Sequence, residues 1–371
     1  MTAAGSDTSA ISRWGRWGSD GSWLSPWQRA TGYVVVLAGA GAAGLAFGLW
    51  GGEHPRIAPA ATAPPTGPGA LTTWGLPIAR LAVVVAVVGT VGMLAGAILL
   101  PRQDGKLGAV ARRCLRSAAC AALVWAVAMA ALLVFSWSDF THVPVTHATV
   151  AQIFGRPRPY ADAVPYLYGA ALALVIAAGA AITRTVTGVL VTLLLSGYNL
   201  LPLTTRGQQV HGFFIGAVVT VHILAIAVWV GSLVALLAHA RRSPDLLAVA
   251  VPRFNRLALA CFVVVGAFGL IAAWINLGSV AELRSSHFGM VVIYKAEALV
   301  ALGAFGWWQR RRIIPDVRRE RGQGPFVRFA AIEIVVMVAT IGLGIALSRT
   351  AAPAAPDPTP PANTSTTYGS F

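Results

Sequence analysis

Apolar runs of roughly 20 residues alternate with short polar connectors along most of the chain. A helix of that length matches the thickness of a bilayer's hydrocarbon core, about 30 Å. The pattern predicts spans at 31–50, 77–100, 117–137, 163–182, 187–203, 211–238, 254–277, 289–309 and 327–347. An all-α polytopic bundle is therefore expected, because in lipid only a helix or a closed barrel satisfies every backbone polar group. Nine spans put the two ends of the chain on opposite sides. The run 187–203 is the shortest and holds Gly197 and Asn199. Read as re-entrant instead of spanning, it would invert everything after it.

The polar stretches divide the chain. Residues 1–30 form a Gly/Ser/Trp-rich basic tail, and 31–203 the first group of spans. Within that group, 51–76 is Pro/Ala/Thr-rich and 138–162 holds Asp139, His142 and His147; both are read as outer loops. Residues 204–347 form a second transmembrane core, and 348–371 a Pro-rich tail expected to be disordered. The first apolar run starts near Thr31 without a small-residue cleavage site, so it reads as a retained span and not a secretory leader.

Composition agrees with the pattern. The chain is 56% hydrophobic and 11% charged, with a mean hydropathy of +0.69; soluble proteins carry about 25% charged residues. The formal charge of +15 invites a nucleic-acid reading, but the basic residues lie in short loops between apolar runs. With the N-terminus inside, twenty Lys and Arg fall on the inner side, in clusters around Arg13–Arg29, Arg102–Arg116, Arg184, Arg241–Arg256 and Arg310–Arg328. Six fall outside, at Arg56, Arg156, Arg158, Arg206, Arg284 and Arg349. That asymmetry predicts N-in, C-out, and excludes nucleic acid as a partner. Cys114, Cys120 and Cys261 are placed at or near inner helix ends, where thiols stay reduced, so a disulfide framework is not expected.

Candidate chemistry sits on the spans. His211 and His222 are 11 residues apart on a run with no charge before His239, and Trp229 follows seven residues later. At about 100° per residue all three share one helical stripe, the two imidazoles about 16 Å apart. A polar stripe in a membrane must face a partner helix or a pathway. On the next-to-last span His287, Met290 and Tyr294 share a face within about 60°, with Glu297 at its edge and Lys295 pointing elsewhere. Glu333 and Met337 lie at i and i+4 on the last span. Imidazole and thioether suit copper, which makes His211, His222, His287, Met290, His142 and His147 candidate metal ligands. Each has a plainer alternative: the loop histidines as solvated side chains, the intramembrane ones as hydrogen-bonded helix contacts, Lys295 and Glu297 as structural ion pairs. Trp229 and Gly231 read as packing residues, and Met93 and Met129 as core filler.

Four stretches carry a family resemblance: VHILAIAVWVGSLVALL (221–237), PRFNRLALACF (252–262), GAFGLIAAWINLGS (266–279) and HFGMVVIYKAEALVALGAFGWWQRRRIIP (287–315). In this order and spacing, segment 211–315 resembles the copper resistance protein D (CopD) family, with Ser232, Asn255 and Phe288 standing where that pattern has glycine, serine and tyrosine. The resemblance implies a multi-pass plasma-membrane protein that moves copper toward the cytoplasm. It also implies possible partners, namely periplasmic copper-binding proteins or cytochrome oxidase assembly factors, since such a module is in some proteins joined to a CtaG-type one.

The expectation is thus copper transport or import, with copper (Cu⁺ or Cu²⁺) as the bound metal and no enzymatic activity. No Walker A motif, phosphorylation-site Asp or CxxC module points to an ATP-driven pump. A copper-delivery or assembly factor for a heme–copper oxidase is the alternative. A membrane cytochrome b is the third reading; it ordinarily needs paired histidines on two helices, and only one helix here carries two.

Overall fold

The computed structural model describes residues 68–103, 106–154, 163–205, 212–277, 280–312, 330–337 and 340. Seven long helices account for most of them: α1 (Gly69–Leu99), α2 (Ala109–Thr141), α3 (Ala163–Ile182), α4 (Val186–Thr205), α5 (Gly212–His239), α6 (Pro244–Leu277) and α7 (His287–Arg312). Residues 330–337 are also helical. The one β element among the described residues is a two-residue hairpin in the α1–α2 connector, with Arg102 opposite Leu107. Six helices (α1, α2, α3, α5, α6 and α7) are long and apolar enough to cross a membrane, and α4 contributes a shorter apolar stretch, Val186–Leu201. The protein is an all-α, multi-pass membrane protein. The expected span 31–50 and the tail 348–371 lie outside the described residues.

The expected loops are corrected at their edges. Residues 69–76, assigned to an outer loop, form the first turns of α1, and Ser138–Thr141 continue α2. Within 138–162 the chain then makes a 3-10 turn, Val145–His147, and a short helix, Val150–Phe154. Arg112, Arg113 and Arg116, expected in a connector, are on the opening turns of α2; α6 likewise begins at Pro244, ahead of the predicted 254.

Short connections alternate the helix directions and define two ends. At one end Leu107 N–H donates to Arg184 O (3.5 Å), Ser117 Oγ meets His239 Nε2 (3.2 Å), and Arg253 Nη1 donates to the Leu99 and Leu100 carbonyls (3.1 and 3.3 Å). Those carbonyls belong to the C-terminal end of α1, where the helix leaves acceptors without intrahelical donors and a cation is favourable. Arg102, Lys106, Arg184, Arg241 and Arg242 all collect here, so this is the basic end. At the opposite end the Ser138 hydroxyl meets Thr72 Oγ1 and the Val143 carbonyl, each at 2.6 Å, fastening the 143–149 loop to the start of α1.

Within the bundle α1 packs on α2 and α5, α2 on α3, and α5 on α4 and α6. The core runs through Val87, Val91, Leu94, Trp125, Met129, Leu233 and Leu236, all fully buried. The α1–α5 crossing is made by small residues. A Cβ on Gly92 would collide with the Gly231 backbone, and one on Gly96 with the Ala235 side chain. Gly92-x-x-x-Gly96 therefore lies against Gly231-x-x-x-Ala235, the spacing that lets two membrane helices approach backbone to backbone. The close-packing role expected of Gly231 is what the structure shows. The pair α3–α4, joined at Thr183–Thr185, is a tight antiparallel hairpin in which Thr185 Oγ1 accepts from Gly188 N–H (3.1 Å), a side-chain cap on the new helix.

Candidate functional site

The stripe on α5 faces α6. His222 sits ten residues into α5, about 15 Å from its start at 1.5 Å per residue. Its imidazole lies over Gly269 of α6: a Cβ there would stand 3.0 Å from Cε1 and 3.3 Å from Nδ1. The missing side chain lets the ring reach the α6 backbone, where Nδ1 is 3.1 Å from the Val265 carbonyl. A carbonyl oxygen only accepts, so Nδ1 carries the hydrogen and the lone pair of the neutral ring is on Nε2. This is the arrangement of metal-binding histidines, whose second nitrogen is commonly held by a carbonyl or carboxylate. Two turns further along, Trp229 meets Phe262 edge to face, with ring centroids 6.0 Å apart. The Trp229 backbone carbonyl accepts from Ser232 Oγ (3.2 Å), and its indole N–H is buried with no hydrogen-bond partner. His211 lies outside the described residues.

On α7 the packed face is set by Val291 and Leu302, both buried, and by Leu299, which lies 3.5 Å from the position of a Cβ on Gly266. Gly303 lies against the Phe262 ring. These contacts fix an antiparallel register between α6 and α7. They put Lys295, one turn before Leu299, level with Gly269 and Leu270. Lys295 is half-buried. Tyr294 and Glu297 are exposed, and Met290 is half-buried. α7 therefore turns Lys295 toward its neighbour, while Tyr294 and Glu297 lie on other faces. His287 is the first residue of α7.

The other candidates lie apart from His222. His142 and His147 are exposed in the loop after α2, with His142 in a left-handed conformation (φ 54°) that ends the helix. Glu333 and Met337 are buried on 330–337, where Met337, Ile334 and Ala330 pack with Cys261, Leu302 and Phe254. Cys114 and Cys261 are buried free thiols and Cys120 an exposed one. Cys261 sits at the middle of α6, not near its end, because α6 starts a decade earlier than the apolar run indicates. Among the described residues no three His, Cys, Asp or Glu side chains gather as a metal-holding group.

Several residues that build the site were not singled out from sequence. Val265 contributes a backbone carbonyl, which no residue type announces. Gly269 had a faint signal, since Gly266 and Gly269 are the two glycines of this helix. Arg253 and His239 lay in connectors or at helix ends, where charge had been read only as topology.

An all-helical, multi-pass membrane protein with an imidazole held on a neighbouring helix's backbone is the class these features define. Residues 248–347 match the family model for copper resistance protein D. No curated protein and no solved structure matches the chain. Three of the four resembling stretches fall inside the match; 221–237, with His222, lies before it and contacts it at Val265, Gly269 and Phe262.

Proposed function

We propose that the protein handles copper as cargo in the plasma membrane, carrying it from the 142–147 face toward the basic end without enzymatic chemistry. The basic end is cytoplasmic on this reading, because positive residues are retained on the inner side. That gives nine spans with the N-terminus inside and the C-terminus outside. The observation that carries the proposal is the His222 ring, fixed by Val265 so that Nε2 is the free ligand nitrogen, at the contact between α5 and the copper resistance segment. The donor chemistry fits a copper ion: imidazole at His222 and the thioether of Met290 on α7 are both suitable ligands. His142 and His147, being exposed, are placed to take copper from a soluble donor such as a periplasmic copper-binding protein.

Copper uptake into proteoliposomes containing the purified full chain tests this. Uptake is expected in the wild type and at least about tenfold less in His222→Ala, the scale of losing one well-placed ligand interaction. Unchanged uptake in that variant removes His222 from the route. Absent uptake, with oxidase activity lost on deletion and cellular copper unaltered, replaces transport by delivery to a heme–copper oxidase.

A further inference from the structure

Lys295 carries a cationic side chain at the depth of the His222 ring, and the transport reading alone gives it no task. The contacts Leu299–Gly266 and Gly303–Phe262 put it at the level of Gly269, and Gly269 is the residue on which the His222 ring rests. Its side chain projects from the face of α7 that also carries Val291 and Leu302, both buried, so it enters the packed region between helices. Three helices thus converge at one depth: α5 with its imidazole, α6 with a bare backbone, and α7 with an ammonium. On the residues of α6 nearest this level, Val265 to Ala273, there is no charged side chain. The nearest carboxylate on α7, Glu297, is exposed on another face.

From this juxtaposition we infer that Lys295 is a specificity-determining residue that makes the His222 site accept monovalent cations and reject divalent ones. The inference rests on the copper reading and adds the oxidation state of the cargo. The physical reason is that Coulomb repulsion scales with the charge of the entering ion. A fixed positive charge opposes a divalent ion twice as strongly as a monovalent one at the same place. A ligand such as imidazole compensates both, and it does so for a cuprous ion with less charge to overcome. Fixed positive groups are used in the same sense in pores, where they form electrostatic barriers to cations. A neutral side chain at 295 removes the discrimination without removing the ligand. Lysine also has reach: its flexible stem can withdraw the ammonium while the helix stays in place.

The test uses the full chain in liposomes with Ag(I) as the monovalent soft probe and Zn(II) as the divalent one, each alone, and reads the ratio of initial uptake rates. The wild type is expected to favour Ag(I). In Lys295→Met and Lys295→Gln the Ag(I):Zn(II) ratio should fall by about tenfold or more, through faster Zn(II) entry, the size expected for removing one charge near a partly buried site. Lys295→Arg keeps the charge and should stay within about twofold of the wild-type ratio. An unchanged ratio in the neutral variants overturns the inference and leaves the copper reading standing. So does an Arg variant that behaves like the Met one, or a wild type that takes Zn(II) as readily as Ag(I). A wild type that admits neither ion overturns the copper reading, and this inference with it.

Discussion

α1 and α6 are equally apolar, yet 56% of the apolar stretch of α1 is buried inside the protein against 17% for α6 and 18% for α7. In water such a difference would be read from hydrophobicity; in a bilayer it cannot be, because lipid is as apolar as leucine. What separates the two regions is small residues and hydroxyls. α1 brings Gly92 and Gly96 against α5, Thr72 against Ser138, and a Thr90 hydroxyl folded onto Ala86 O (2.7 Å). α6 instead presents Leu259, Val263, Leu270 and Trp274 outward, the last two 72% exposed. The five-helix bundle α1–α5 is a scaffold, and α6–α7 is a thinner layer laid on α5. The candidate site is at the seam between them.

The strongest way to break the comparison is to overfill the scaffold. Gly231→Leu would drive a side chain into the α1 backbone at Val88 and Gly92, where there is no flexible partner to yield. A loss of about 3 kcal/mol or more is expected from such overpacking, read as a large drop in thermal unfolding temperature in detergent. Trp274→Ala, on the outward face of α6, should leave that temperature nearly unchanged, since surface positions generally stay within about 0.5 kcal/mol. If the two variants behaved alike, the division into scaffold and layer would be wrong.

The seam is addressed next. Gly269→Val places a branched side chain where the His222 ring now lies, at a site with 3.0 Å of clearance. The ring must leave the Val265 carbonyl, so copper uptake should fall about as far as in His222→Ala. The scaffold is untouched, and stability should drop by only about 1–2 kcal/mol. Retained uptake would show that the hydrogen bond does not orient the ligand. Arg253→Ala removes the donor that α6 sends to the end of α1, at the basic end of the same seam. Charge-assisted bonds to helix-terminal carbonyls contribute roughly 1 kcal/mol when partly exposed. Urea or thermal unfolding of the purified protein measures this, and Arg253→Lys should recover part of it.

How much of this was legible in the sequence follows from the same physics. The positions of six spans were, those at 77–100, 117–137, 163–182, 211–238, 254–277 and 289–309, because each is a long apolar run that the described helices cover. Their ends were not: polarity marks where hydrocarbon stops, while the helix continues through Arg112, Arg113 and Arg116 in α2 and through residues 244–253 in α6. For the site, the spacing of His222 and Trp229 correctly indicated one face, and that face is the one that meets α6. The partner was hidden, because it is a carbonyl and a missing side chain. The orientation of α7 was hidden too. Its polar residues lie on several faces, so periodicity could not say that Lys295, and not Tyr294 or Glu297, is on the packed side.

The smallest expected effect is also a clean separation of fold from chemistry. His142 is the one described non-glycine residue at positive φ, a left-handed conformation that costs most L-residues about 1 kcal/mol and glycine nothing. Its neighbourhood is already held by Ser138, whose hydroxyl bonds Thr72 and the Val143 carbonyl without help from the imidazole. His142→Gly should therefore keep the loop and hold or slightly raise the unfolding temperature. Any fall in copper capture from dilute solution would then belong to the lost imidazole and not to a disordered loop. His147→Ala beside it tests whether the two histidines act as a pair: a double variant no worse than either single one indicates a shared ion. Capture unchanged in all three removes this face from the route.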